Sequence, residues 1–233
     1  MAIHEDLLSL LADGCVHSGS ELATKLGVTR AAVWKNIAQL KEFGLPVSAM
    51  AGKGYQLGAP VELLDRQAIE QHLTADIRAG CSSLDVMWQI ESTSDYLLAA
   101  QSPANGRARA CIAEFQTGGR GRRGRPWLAP PGYGLCLSLG WLFDTSPASL
   151  SCLGLAVGVG AMRALRNCGA NNAELKWPND VVVDGRKLAG VLIDVRGEAG
   201  GPLYAVAGVG ANYQLDVAMV EAIRQSGGLE PAS

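Results

Sequence analysis

Charge is scarce in this 233-residue chain: Asp, Glu, Lys and Arg together make up 18%, against roughly 25% in an average soluble domain. Aromatic residues are 6% and histidines number three. Apolar residues reach 48% before the 29 glycines are added, which excludes wholesale disorder. No run attains the roughly 18 consecutive apolar residues of a membrane helix. The richest, Leu153 to Met162, is short and interrupted by Gly154, Gly158 and Gly160. No basic segment precedes an apolar one at Met1-Ala2-Ile3-His4-Glu5-Asp6, so no signal peptide, no membrane and a cytoplasmic location are expected. The six cysteines (Cys15, Cys81, Cys111, Cys136, Cys152 and Cys168) form no Cys-x-x-Cys and have no histidine at ligand spacing. They are expected to be reduced, mostly buried, small apolar residues rather than a disulfide framework or zinc site. A nucleophile elbow of the Gly-x-Ser-x-Gly type is missing too. His4, His17 and His72 all fall outside the region that holds the candidate catalytic residues, so neither a serine triad nor a histidine metal site is supported. With a net charge of -2, nothing global announces nucleic acid, although a local basic patch still can.

What is present falls into two parts, as the length suggests. Residues 1–58 read as a small module. Leu7, Leu8, Leu10 and Leu11 make a helical apolar stripe. Ser18 or Ser20 can cap a second helix that Gly27 stops, and Thr29 starts a third with Ala32, Val33, Ile37 and Leu40 inward. Pro46 to Leu57, broken by Gly52 and Gly54, predicts a hairpin. The order is that of a winged helix-turn-helix. Residues 59–85 are expected to be a linker with a short helix over Leu64 to Leu73. Beyond them, strands are predicted at Val86–Ile90, Ala110–Phe115, Leu135–Phe143, Leu175–Trp177 and Leu203–Val209, with a helix over Ser149–Cys168. Asp184-Gly185 between apolar runs predicts a type I′ hairpin. The fold class is α+β with a mixed or antiparallel sheet.

Four features carry chemistry. Gly118 to Arg125 sets Arg120, Arg122, Arg123 and Arg125 among Gly119, Gly121 and Gly124. Guanidiniums so close repel one another, and an anion such as phosphate is their natural partner; a solvated basic loop is the plain alternative. Lys176-Trp177-Pro178-Asn179-Asp180 ends a strand. Asp180 could hold Mg²⁺ near phosphates or orient a lysine, or the segment is simple turn punctuation. Lys187 interrupts an apolar strand and either faces solvent or enters a pocket, with Gly190 permitting close approach. Glu91-Ser92-Thr93-Ser94-Asp95 starts a helix, as a cap or as a polar ligand contact.

Together these features resemble bacterial biotin protein ligases of the bifunctional class, which also repress the biotin operon. The resemblance rests on Ala113 to Trp127, Lys176 to Asp180, Arg186 to Gly190, Gly208 to Asn212, Leu26 to Lys35 and Gly52 to Tyr55, and covers roughly residues 3–215. It implies a class II synthetase-like catalytic domain over residues 86–225, flanked by helices, after the DNA-binding module. The implied reaction joins biotin to ATP, with Mg²⁺, giving biotinyl-5′-AMP and pyrophosphate. A lysine of the biotin carboxyl carrier protein of acetyl-CoA carboxylase then takes the biotinyl group. By resemblance, Ser92, Thr93, Ser94 and Gln116 hold the biotin head. Gly119, Arg120, Gly121 and Arg122 order a loop over carboxylate and phosphate. Lys187, with Gly190, meets the carboxylate or α-phosphate; Lys187, Arg120 and Arg122 are the catalytic candidates. Trp127 sits toward adenine, the strand end at Asn212 lies against the ligand, and Lys176, Asn179 and Asp180 support phosphates and metal. The family's Ser-Thr-Asn reads Ser92-Thr93-Ser94 here. Thr29, Arg30, Lys35, Asn36 and Lys53 are the operator-DNA candidates, and a ligand-induced homodimer is implied. A shortened C-terminus, without the family's β-barrel and with a tail over 226–233, is expected. Rival readings are a catalytically impaired biotin-responsive repressor and a lipoate-type protein ligase.

Overall fold

The computed structural model describes residues 3–144, 147–197 and 201–213, with Val220, Glu221 and Gln225. The expected tail lies outside these. The chain divides into two compact units, Met1–Leu64 with Pro130–Gly132, and Asp65–Ala129 with Tyr133 onward.

In the first unit, α1 (Ile3–Leu11), α2 (Gly19–Leu26) and α3 (Arg30–Glu42) precede a hairpin of β1 (Val47–Met50) and β2 (Gly54–Leu57). Local chemistry sets the boundaries. Ser18 Oγ accepts from Glu21 N at 3.1 Å and Thr29 Oγ1 from Ala32 N at 3.2 Å, each satisfying a helix-start amide. Gly27 ends α2 in the left-handed conformation, φ 64°. Leu7, Leu8, Leu11, Leu22, Val33, Ile37, Leu40 and Leu57 form the core. His17 and Tyr55 exchange two backbone hydrogen bonds of 2.9 Å, which tie the turn before α2 to the hairpin. A Cβ at residue 54 would lie 2.0 Å from His17 O, so only glycine fits there. One expectation fails: Asn36 is not on the solvent face. It is 7% exposed and its Nδ2 donates to Ala32 O at 2.7 Å, so it is removed from the DNA candidates.

In the second unit, α4 (Arg66–His72) and α5 (Ala75–Gly80) lead into a sheet with α6 (Thr93–Ala99) and α7 (Leu153–Asn167). The strands are β3 (Cys81–Ile90), β4 (Ala108–Gln116), β5 (Gly134–Phe143), β6 (Glu174–Lys176), β7 (Asp180–Val183), β8 (Arg186–Arg196) and β9 (Leu203–Asn212). Their spatial order is β3-β4-β5-β9-β8-β7-β6. β3 and β4 are parallel and every other pair is antiparallel, so the sheet is mixed. Asp184 and Gly185 take φ 50° and 77°, the two positive values a type I′ turn requires. β3 begins five residues before the expected Val86, α5 occupies what was read as linker, and α7 starts at Leu153 after a 3₁₀ turn over Pro147–Leu150.

The two faces of the sheet are used differently. Leu97 of α6 packs with Cys111, Tyr204 and Val206 on one face. Ala161, Met162 and Leu165 of α7 pack with Ala173, Val181, Ala189 and Ala211 on the other. The helical stretch Ala148–Asn167 is, by length and composition alone, apolar enough to cross a bilayer, with a mean hydropathy of 1.5. The sequence reading missed it by counting unbroken apolar runs across the glycines. The cysteines are all free, but only Cys111 and Cys136 are buried, whereas Cys15, Cys152 and Cys168 are exposed, contrary to expectation. Burial pushes the Cys111 and Cys136 thiols up to about 12, so both stay neutral.

His17 Nε2 lies 2.9 Å from Asp13 Oδ1, and its Nδ1 lies 3.4 Å from Glu21 Oε1. The bond to Asp13 raises the imidazole above its ordinary 6.5 against the pull of burial, while His17 holds Asp13 below its usual range. The folded-state pKa of His17 is the higher one, so its contribution is complete below pH 6.5 and is lost as pH rises through the raised value. Asp13→Asn should therefore lower the thermal midpoint at about pH 5.5 more than at about pH 8.5. Equal losses at both pH values in a circular-dichroism melt would refute the assignment.

Candidate active site

The register of the sheet brings two rows of residues together. Cys136, Gly210, Gly190 and Asp180 lie opposite one another across β5, β9, β8 and β7. Ser138, Gly208 and Leu192 form the neighbouring row. Directly opposed residues share a face, and this is the face that carries α6. Along β9, Tyr204 and Val206 lie under the body of α6, and then Gly208 and Gly210 supply no side chain. A cleft of about 260 Å³ opens there.

One end of the cleft is neutral and polar. Ser138 is fully buried and its Oγ is 2.7 Å from Thr93 Oγ1 and 2.9 Å from Ser94 Oγ. Gln116 Oε1 accepts from Thr93 N at 2.7 Å and from Thr93 Oγ1 at 2.9 Å. Ser92 Oγ caps α6 by accepting from Asp95 N at 3.2 Å. A Cβ on Gly208 would come within 2.7 Å of Ser94 Oγ, so the niche beside the hydroxyls exists because residue 208 is glycine. The other end is aromatic and cationic. A Cβ on Gly210 would overlap the Trp127 indole at 2.3 Å, so the ring packs against bare backbone. Lys187 Nζ lies 5.5 Å from the Trp127 ring centre and 2.7 Å from Asp180 Oδ1. Gly190 makes room for it, since a Cβ there would meet Nζ at 2.9 Å. Trp127 Nε1 and Asn212 Oδ1 are buried without a hydrogen-bond partner, which leaves one donor and one acceptor for a ligand.

The arginine segment folds into a small closed structure. Trp127 N donates to Gly119 O at 2.8 Å and Gly121 N to Arg125 O at 2.7 Å. Arg120 and Pro126 form an antiparallel bridge, and a 3₁₀ turn spans Arg122–Gly124, with Arg123 at φ 60°. Arg122 Nη1 donates to Asn179 Oδ1 at 3.2 Å, and Asn179 Nδ2 in turn donates to Val191 O at 2.8 Å. Arg120 is engaged by Asp95 through both terminal nitrogens and lies 3.9 Å from Asp194. The Asp95 bonds raise the Arg120 pKa further, and burial raises that of Asp194.

The structure gathers most residues expected from sequence. Ser92, Thr93, Ser94, Gln116, Arg120, Gly121, Arg122, Trp127, Asn179, Asp180, Lys187, Gly190 and Asn212 all line the cleft, and Gly119 braces Trp127 from behind. Lys176 is not brought in: it stands exposed on β6, with Trp177 beside it 80% exposed. Asp180 takes the second role considered for it, holding Lys187. It is the one carboxylate among the residues lining the cleft, and no cluster of three or more metal-ligating side chains occurs among the described residues. A single carboxylate is no all-protein cage for Mg²⁺, but it is enough to share an ion that phosphate oxygens also hold. Sequence reasoning missed Ser138, buried inside an apolar strand pattern, although a serine at a core position of period 2 was a signal to follow. It also missed the ion pairs of Asp95 and Asp194 with Arg120, which depend on three separate elements.

A model of the biotin/lipoate A/B protein ligase family matches residues 86–212, the span that contains every cleft residue. The chain belongs to this family. A helix-turn-helix domain model matches residues 4–56. The bifunctional ligase/repressor BirA of Salmonella typhimurium and that of Escherichia coli are each 40% identical over 90% of this chain and 63% of their own length. The chain thus spans less than two thirds of these curated relatives. Biotin protein ligase from Leishmania major, solved with biotinyl-5-AMP, shares the fold at 24% identity and a TM-score of 0.50, covering 65% of this chain and 68% of that one.

Ser138→Ala removes the group on which Thr93 and Ser94 both lean. It is expected to cost about 1–3 kcal/mol of stability through unsatisfied buried hydroxyls, measured by urea unfolding. An unchanged unfolding midpoint would contradict the network.

Proposed function

We propose that the second unit is a biotin protein ligase and that the first unit binds operator DNA. The observation that carries the enzymatic reading is the layout of the cleft, with neutral hydroxyls at one end of a glycine floor and Lys187, Trp127 and arginines at the other. A ureido-bearing head needs uncharged donors and acceptors, which Thr93, Ser94, Gln116 and Ser138 supply. Its carboxylate then points along Gly208 and Gly210 toward Lys187. A carboxylate and a triphosphate repel each other, so the site that joins them must be cationic. Arg122, Arg123, Arg125 and Lys187 provide that charge, and the indole of Trp127 offers a face for a purine.

In the proposed reaction, a biotin carboxylate oxygen bonds to the α-phosphorus of ATP and the bond to pyrophosphate breaks. Lys187 stabilises the charge that develops, held in position by Asp180. The amine of a carrier-protein lysine then attacks the mixed anhydride and AMP leaves, so no nucleophilic side chain is required of this chain. The neutral Cys136 thiol in the cleft is consistent with that. Magnesium would arrive on the nucleotide's own phosphates and lower their repulsion toward the incoming carboxylate. Relatives named as bifunctional ligase/repressor BirA, and a Mycobacterium tuberculosis relative named as a biotin--[acetyl-CoA-carboxylase] ligase and 37% identical over 64% of this chain, support biotin over lipoate as the substrate. The carrier is the biotin carboxyl carrier protein of acetyl-CoA carboxylase. A cytoplasmic protein fits these partners, and the inner face of α7 is committed to its own unit's core. A homodimer formed on ligand binding would pair two DNA-binding units and multiply their contacts.

In the DNA-binding unit, cations and anions are segregated along the chain. Lys25, Arg30, Lys35, Lys41 and Lys53 lie between residues 25 and 53, whereas Glu5, Asp6, Asp13 and Glu21 precede them and Glu42 stands at the end of α3. Arg30, Ala31, Trp34 and Lys35 form the exposed side of α3, and Trp34 is 66% exposed. Thr29 remains exposed, with its hydroxyl capping the helix. Trp34 was absent from the residues chosen by sequence, because chemistry rather than exposure selected them.

Biotin-dependent pyrophosphate release from Mg-ATP tests the enzymatic reading, and Lys187→Met should lower it by about 10²–10³-fold. No release by a folded, biotin-binding chain would overturn it. For DNA, Arg30→Ala and Lys35→Ala should each reduce the slope of log affinity against log salt by about one. Trp34→Ala should leave that slope unchanged while lowering discrimination between sequences selected from random duplexes and mixed-sequence duplex.

A further inference from the structure

We infer that Ser94 is a specificity-determining residue that meets the ligand only as a hydrogen-bond acceptor, so that the ligand group opposite it has to be an N–H. This rests on the ligase reading only for the identity of the ligand. Four side chains from three elements form one hydrogen-bonded chain: Ser94 and Thr93 of α6, Ser138 of β5 and Gln116 of β4. A hydroxyl has one hydrogen to give, and an amide oxygen has none. Thr93 N can only donate, and it does so to Gln116 at 2.7 Å, which fixes the amide with its oxygen toward Thr93. The same oxygen takes the Thr93 hydroxyl hydrogen at 2.9 Å. Thr93 Oγ1 then has no hydrogen left for Ser138, 2.7 Å away, and accepts from it. Ser138 in turn has none left for Ser94, so Ser94 Oγ donates to Ser138 Oγ at 2.9 Å. All the links are satisfied in this one direction, from Ser94 to Gln116.

Burial holds the chain to that direction. Ser94, Thr93 and Ser138 are all buried, and turning any one hydroxyl round would set two acceptor oxygens against each other. Ser94 nevertheless lines the cleft, with its Oγ over the bare backbone of Gly208. Its one hydrogen is spent on Ser138, so what it offers a ligand is lone pairs. The asparagine of the family pattern would bring amide hydrogens to this place as well; the serine gives them up. Ser92 stands in contrast. Its Oγ accepts from Asp95 N, and its own hydrogen takes no part in the chain. The neutral end of the cleft is therefore polarised, with acceptance at Ser94 and donation at Ser92 and the Gln116 amide nitrogen. A cyclic urea, with N–H groups flanking a carbonyl, matches such a set. A cyclic carbamate, in which a ring oxygen replaces one N–H, places lone pair against lone pair at Ser94 and keeps the same shape.

The test is calorimetric titration of the full chain with biotin and with the two cyclic carbamates made by exchanging one ureido N–H of biotin for oxygen. The carbamate that lacks the N–H opposite Ser94 should bind about 50-fold more weakly than biotin, as expected for an acceptor left facing an acceptor. In Ser94→Ala that gap should shrink to about threefold, because biotin loses its acceptor and the carbamate loses the repulsion. In Ser138→Ala the Ser94 hydrogen is released toward the cleft, so this carbamate should bind more tightly than it does to the wild type. A merely structural role of Ser138 would instead weaken both ligands alike, and that result would overturn the one-way chain. Circular dichroism checks that each variant is folded, and Ser94→Ala decides the matter if Ser138→Ala is not. Carbamates bound as tightly as biotin by the wild type, or an undiminished gap in Ser94→Ala, would overturn the assignment to Ser94 and leave the ligase reading standing. A folded wild-type chain that binds none of the three ligands would overturn both.

Discussion

The site depends on the absence of side chains at three strand positions, Gly190, Gly208 and Gly210. In the middle of a seven-stranded sheet, residues on one face are normally filled in by an overlying helix or by their own bulk. Here the body of α6 covers Tyr204 and Val206, only its first turn reaches over Gly208, and the two positions of β9 that follow Val206 on that face are glycines. Each is matched to a particular neighbour: residue 208 to the Ser94 hydroxyl, residue 210 to the Trp127 ring and residue 190 to the Lys187 ammonium. A methyl group at any of them would displace a group that lines the cleft. Glycine in a strand interior weakens the strand, and the long β5–β9–β8 ladders offset that cost with main-chain hydrogen bonds.

Charge is handled by pairing each cation that does not face the ligand. Arg196 closes the end of α6 and stacks over Tyr204, with its guanidinium 5.2 Å from the ring centre. Arg120 is balanced by Asp95 and Asp194. What remains for a ligand is a small set of guanidiniums on a tight turn and the ammonium of Lys187, which Asp180 positions in the cleft. The site is thereby cationic in a chain whose net charge is -2. Whole-chain charge therefore says little about what the protein binds.

Much of the architecture was legible because it is local. The caps Ser18 and Thr29, the left-handed Gly27 and the Asp184-Gly185 turn act over four residues or fewer, and each formed as its chemistry dictates. The apolar stripes of α1 and α3 gave the core of the first unit. The misjudged residues have a common cause. Asn36 and Lys176 were judged by side-chain type alone. In the fold, Asn36 turns back onto its own helix, and the β6 strand bearing Lys176 lies at the far edge of the sheet.

By itself the sequence determined the elements, their order and the chemical inventory: an arginine-glycine segment, a lysine inside an apolar strand and a polar helix start. These follow from local preferences and residue chemistry, which need no partner distant in the chain. Only the tertiary structure decided which inventory members meet. The register of β5 against β9 set Ser138 beside Thr93 and Ser94, and the bend of the arginine segment set Arg120 onto Asp95. The register of β8 against β7 set Lys187 onto Asp180. Such contacts join residues up to 45 positions apart, and their geometry is fixed by strand pairing that no single segment encodes.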